Sequence, residues 1–172
     1  DAAEICRLDA EPTLSDLTIA AAFAAEATRQ NRRLSIHIKV ETGTHRQGLL
    51  QSELKTIADS LKDWPELSVA GISTHFANIE DTTDHSYAQH QLEVFNNLLA
   101  NVKGVTSHLV KHFSCSASTL LFPKTYFDIV RVGISAYGYW PSKETYISYI
   151  EQNRERIHLK PVLSWHSRVA QV

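Results

Sequence analysis

Arg131 places a permanent positive charge inside a strongly β-prone run, FDIVRVGISAYGYWPS (residues 127–142), with Gly133 and Gly138 close behind it. Burying a guanidinium is costly unless an anion or a hydrogen-bond acceptor meets it. Two partners suit it: a carboxylate in a structural ion pair, or an acceptor on a bound small molecule. Three further segments carry side chains able to do chemistry. KVETGTHRQG (39–48) offers Lys39 and Arg46, the latter either a solvated loop arginine or a planar fork for an anion. STHFANIED (73–81) offers His75, which is either a hydrogen-bonded core residue or a functional imidazole. HFSCSAST (112–119) offers Ser116, in an ordinary Ser-rich turn or at a helix start that cradles phosphate.

All four segments fall at the ends of strand-like runs. EICRL (4–8), LSIHIKV (34–40), LSVAGISTHF (67–76), SHLVKHF (107–113) and FDIVRVGI (127–134) read as strands, and amphipathic stretches separate them. Ser15 is a candidate cap for a helix bearing Leu17, Ala20, Ala21, Ala24 and Ala27 on one face. Leu54, Ile57, Ala58, Leu61 and Trp64 mark a second helix, stopped by Pro65. Leu92, Phe95, Leu98, Leu99 and Val102 mark a third, with Asp84 before it and Gly104 after it. Strands joined by helices pair in parallel, so the expected class is α/β. Along 34–40, Leu34, Ile36, Ile38 and Val40 alternate with Ser35, His37 and Lys39, which makes one face polar.

Polar groups gathered at the carboxyl ends of parallel strands describe the rim of a (β/α)8 barrel. A full barrel takes about 250 residues, so five strands amount to the last five strand-helix units of a partial TIM barrel. The boundaries expected are 1–160 for the barrel part and 161–172 for a strand leading towards a β domain, in a piece of a longer chain.

Composition excludes other classes. Of 172 residues, 43% are hydrophobic and 21% charged, with a net charge of -2, so nothing marks a nucleic-acid or membrane partner. A cytoplasmic location is expected, because no run approaches the roughly 20 apolar residues of a membrane span. The two cysteines make no disulfide framework. The nine histidines include no helical pair flanking a glutamate, and no metal site is expected.

Read together, the four segments resemble those of alanine racemases of the pyridoxal-phosphate-dependent type III fold. The counterparts read approximately K-V-D-T-G-M-x-R-x-G, T-H-F-A, H-x-A-N-S-A and D-M-V-R-P-G-I-x-L-Y-G, and LKPVLSWHSRV (159–169) resembles the family's link into its β domain. The resemblance implies that Arg131 donates to the pyridine nitrogen of pyridoxal 5'-phosphate and that His75 packs by the ring and contacts that arginine. It further implies that Arg46 lies near the phenolic oxygen and the substrate carboxylate, so Arg46, His75 and Arg131 are the expected catalytic set. Lys39 matches a lysine that is carbamylated in some members. Ser116, Gly133 and Ile134 match phosphate-binding positions, whereas Cys115 replaces the usual asparagine.

The activity implied is interconversion of L-alanine and D-alanine for cell-wall peptidoglycan, by a bacterial homodimer. Two-base racemisation needs an acid/base on each face of the substrate carbon. The family's Schiff-base lysine sits in K-A-N-A-Y-G, absent here, and its tyrosine base belongs to the β domain. The chain alone is therefore expected to be inactive. Alternatives are a racemase for another amino acid such as serine, or a non-catalytic pyridoxal-phosphate-binding barrel protein.

Overall fold

The computed structural model describes residues 1–101, 108–152 and 155–171. A parallel sheet of four strands runs in chain order, β1 (Thr13–Leu14), β2 (Leu34–Lys39), β3 (Leu67–Ser73) and β4 (Val110–His112). Each parallel neighbour requires a crossover. These are α2 (Leu17–Arg29), α3 (Leu54–Ser60) and α4 (Ser86–Asn101), while α1 (Ala2–Leu8) precedes the sheet and α5 (Ser116–Leu121) and α6 (Lys143–Glu151) follow it. The α/β class is as expected.

The alternation along β2 is realised. Leu34, Ile36, Ile38 and Val40 are buried under the helices and belong to two apolar clusters. One gathers Cys6, Phe23, Ala24 and Ala27 of α1 and α2 on Leu34 and Ile36. The other is built on α4 and aromatic rings, with Phe76 stacked on Phe113 at 3.9 Å. In α4, Leu92, Phe95 and Leu98 are buried. Asp84 takes the Ser86 N–H at its start at 2.9 Å. Val102 and Gly104 lie outside the described residues.

Several expected elements are different. EICRL is helical: Asp1 caps Ala3 and Glu4 pairs with Arg7, so local capping outcompetes a short apolar run, and the first strand is Thr13–Leu14 instead. Asp16, not Ser15, caps α2 through the Ile19 N–H. Ala21 and Ala58 are exposed, and α3 gives way to a 3-10 turn at Leu61–Asp63. FDIVRVGI forms no strand beyond an isolated bridge from Ile129 to His112. There the Asp128 carboxylate takes the Lys111 N–H at 2.7 Å, occupying a donor that a fifth strand would have used. Val130, Val132 and Ile134 are exposed as the segment leaves the sheet. Residues 161–171 likewise carry no strand. Among the described residues no helix is long and apolar enough to cross a membrane.

Candidate functional site

Arg131 meets hydrogen-bond acceptors rather than a carboxylate. Its backbone N–H bonds to Ser114 O, which brings the side chain back under the carboxyl ends of β3 and β4. There Nη2 donates to Thr74 O at 2.7 Å and Phe113 O at 3.3 Å, and contacts His75 Nδ1 at 3.2 Å. Nη1 contacts His112 Nδ1 at 2.6 Å. A guanidinium can only donate, so both Nδ1 atoms accept and both rings carry their proton on Nε2. Nε of Arg131 makes no hydrogen bond among the described residues.

Electrostatics keeps those rings neutral. Burial, reinforced by the charges of Arg131, Arg46 and Lys39, pushes the His75 imidazole down to about 4. Burial, then Arg131 and His37, take His112 to about 4 as well. Protonating either ring would set a cation against a guanidinium that cannot give way.

The polar chain continues past the expected residues. His112 Nε2 is 2.8 Å from His37 Nδ1, and His37 Nε2 is 2.9 Å from Glu11 Oε2. His37 reaches this place because the register between β2 and β3 slips after Ile36, which puts it opposite Gly71.

His75 is fixed through its backbone. Its carbonyl accepts Thr44 Oγ1 at 2.7 Å and Gln91 Nε2 at 3.1 Å. Gln91 is wholly buried on α4, and its Oε1 takes the Ala77 N–H at 3.0 Å. Thr42 and Thr74 hydroxyls bond at 2.8 Å and complete the tie between the two loops.

Two cavities flank Arg131 and His75. A depression of about 300 Å³ is bordered by His75, Cys115, Ser116, Arg131, Gly133 and Ile134. Ser116 Oγ accepts the backbone N–H groups of Gly133 at 2.9 Å and Ser135 at 3.4 Å, which joins the start of α5 to the Arg131 segment. The Ser135 hydroxyl is buried and has no partner among the described residues. A second cavity of about 190 Å³ lies between Lys39, Gln47, His75, His112 and Arg131. Lys39 Nζ donates to Gln47 Oε1 at 3.1 Å, and burial with the charges of Arg46 and Arg131 lowers its pKa.

His75, Ser116, Arg131, Gly133 and Ile134 are thus brought to one depression, and Lys39 to its neighbour. Arg46 is not: it is exposed in the loop after β2 and makes no hydrogen bond among the described residues, acting on His75 and Lys39 only through its charge. Among the described residues no group of His, Cys, Asp and Glu side chains is arranged to hold a metal ion.

The family model for the alanine racemase N-terminal domain matches residues 1–141. This chain belongs to the alanine racemase N-terminal domain family. It is 39% identical over 138 residues to the alanine racemase of Leptospira interrogans serogroup Icterohaemorrhagiae serovar copenhageni, covering 80% of this chain and 35% of that protein. Among solved structures it is similar to the alanine racemase of Bartonella henselae with covalently bound pyridoxal phosphate. That TM-score is 0.71 at 25% identity, over 92% of this chain and 42% of that one. It is also similar to the alanine racemase of Bacillus anthracis with bound L-Ala-P, with TM-score 0.75 and 28% identity over 92% of this chain and 39% of that one. The chain spans about two-fifths of the length of these alanine racemases.

Within this alanine racemase domain, Glu11, His37, His112 and Gln91 carry roles that the sequence did not single out. The signals were faint. His37 stood on the polar face of its strand and His112 at a strand end, whereas Gln91 fell outside the apolar stripe of its helix and Glu11 in an unmarked loop. Cys115, where asparagine was expected, gives its N–H to Ser118 Oγ at 2.9 Å.

Proposed function

We propose that the protein carrying this chain interconverts L-alanine and D-alanine with pyridoxal 5'-phosphate, and that this chain supplies part of the (β/α)8 barrel holding the cofactor. The observation that carries this reading is the state of Arg131. Its terminal nitrogens are committed to neutral acceptors, its Nε–H is not, and it borders both cavities.

The residues present fit that cofactor. Arg131 would donate to the pyridine nitrogen, His75 would pack beside the ring, and Ser116 with Gly133 and Ile134 would hold the phosphate. The buried Ser135 hydroxyl, without a partner among the described residues, adds a polar group behind Ser116. Bound pyridoxal phosphate supplies the electron sink that makes the α-proton of an amino acid labile. Arg131 cannot accept a proton and so leaves that sink weak, which favours prompt return of the proton over side reactions. Arg46 stands exposed and free to meet a substrate carboxylate. Lys39, with its lowered pKa and its Gln47 contact, suits carbamylation.

The reading extends to the whole protein: a homodimer that makes D-alanine for peptidoglycan, with residues 161–172 leading towards a β domain. No lysine of this chain lies in a K-A-N-A-Y-G context, so the chain alone is read as inactive. Alanine racemisation followed by optical rotation in the full-length protein tests the main claim. The wild type should racemise with bound pyridoxal phosphate, and Arg131→Ala should lose on the order of a hundredfold or more in rate, as expected when a preorganised charge is removed. Absence of cofactor from the wild type, or an unchanged rate in the variant, would refute it.

A further inference from the structure

A chain of hydrogen bonds leads from the Glu11 carboxylate, which accepts, to Arg131, which can only donate. Arg131 Nη1 donates, so His112 Nδ1 carries a lone pair and the His112 proton sits on Nε2. That proton faces His37 Nδ1 at 2.8 Å, so His37 Nδ1 accepts and the His37 proton sits on its own Nε2. His37 Nε2 in turn faces Glu11 Oε2 at 2.9 Å, where an ionised carboxylate accepts. The reverse assignment fails. A proton on His37 Nδ1 would force the His112 proton onto Nδ1, and two N–H groups would then oppose each other 2.6 Å apart at Arg131. Only one arrangement of two neutral rings satisfies all three contacts.

We propose that Glu11 and His37 are positioning residues that hold His112 in its Nε2–H tautomer, and through it fix the orientation of Arg131. The four residues come from four separate places: the loop before β1, β2 itself, the end of β4, and the segment after α5. Their agreement is therefore a property of the assembled sheet and not of any one element. The depressed pKa of His112 keeps its ring neutral at neutral pH, which the arrangement requires. Glu11 is the only anion in the chain of contacts and stands at its far end, so it biases the protons without lying beside the cofactor pocket. The importance of Arg131 rests on the function proposed above; the proton assignment does not.

The test is nitrogen NMR on the full-length protein labelled with 15N-histidine, recorded without cofactor at neutral pH and assigned with His37→Gln and His112→Gln. Both rings should show a protonated Nε2 and an unprotonated Nδ1. Glu11→Ala should release His37 and, through His112, the hold on Arg131, so that the guanidinium no longer enforces one direction and both rings show mixed tautomers. Glu11→Gln, whose carbonyl oxygen still accepts, should restore the single form, which a merely structural loss would not. A protonated Nδ1 on His112 in the wild type, or unchanged tautomers in Glu11→Ala, would overturn the proposal. Should Glu11→Ala not fold, Glu11→Leu takes its place with the same expectation. A correct tautomer pattern in a protein that gains no pyridoxal-phosphate absorbance would refute the cofactor reading and leave this one standing.

Discussion

His37 occupies the space that Gly71 leaves open: a Cβ built at Gly71 would clash with His37 Nδ1 and lie 2.8 Å from Val110 O. The slipped register between β2 and β3 sets the two residues opposite each other, so glycine here is demanded by close approach rather than by backbone conformation. Gly71→Ala must displace either the imidazole or the β4 backbone. A loss of about 1–3 kcal/mol is expected, the usual cost of overpacking a well-filled interior. Urea denaturation of the full-length protein measures it, and the paired variant Gly71→Ala/His37→Ala should recover part of the loss because the ring is the movable neighbour.

Gln91 provides the second prediction. It is fully buried and ties three groups: the Ala77 N–H, His75 O and Thr42 Oγ1. Gln91→Leu keeps the volume but leaves the Ala77 N–H unpaired, whereas His75 O still has Thr44 Oγ1. Ala77 is exposed, so its N–H can turn to water, and the loss expected is that of one hydrogen bond, about 0.5–1.5 kcal/mol. Hydrogen exchange should report faster opening at Ala77, and unchanged exchange there would contradict the role given to Gln91.

Acid sensitivity follows from His75 and His112. Both are held near 4 in the folded protein, against about 6.5 for the unfolded chain. Between those values the unfolded state binds more protons, so folding stability falls as pH drops from about 6.5 towards 4 and is flat above that window as far as these groups are concerned. The sign is that of neutral buried histidines that must charge on unfolding. Denaturation midpoints at pH 5 and pH 7.5 should differ, with the acidic value lower. The double variant His75→Gln/His112→Gln should narrow the difference, and an undiminished difference would assign the acid sensitivity elsewhere.

The parts of this fold that could be read from sequence are those where a pattern repeats. Leu34, Ile36, Ile38 and Val40 repeat every second residue, and Leu92, Phe95 and Leu98 repeat on one helical face, so β2 and α4 were legible. EICRL was too short for periodicity to separate strand from helix, and the deciding influence was the Asp1 cap. FDIVRVGI has the β propensity of a strand, yet Asp128 diverts the ladder donor on which pairing depends, a tertiary contact that propensity does not encode. The site divides in the same way. Arg131 and His75 stood out because a charged or titratable group on a strand needs an explanation, and they do converge, at 3.2 Å. Glu11 and His37 did not, since their meaning depends on the β2–β3 register slip, which no local sequence feature announces.

Ser116 yields the last prediction, and it separates a structural hydroxyl from a ligand-binding one. Its Oγ accepts from both Gly133 and Ser135, so it holds the Arg131 segment against the start of α5. Gly133 itself is exposed, and its N–H would find water if Ser116 Oγ were removed, so Ser116→Ala should cost only about 0.5–1.5 kcal/mol of stability. The local effect should be larger than the global one. Amide exchange at Gly133 should accelerate while exchange in β2 and β3 stays as it was, because the sheet does not depend on this contact. If Ser116 also takes the phosphate, affinity for pyridoxal phosphate should fall by about tenfold or more, the worth of one charge-assisted hydrogen bond. Ser116→Thr keeps the hydroxyl and should retain both properties where its methyl group fits. Equal affinity for the cofactor in wild type and Ser116→Ala, with faster exchange at Gly133, would mean that the hydroxyl only braces the loop.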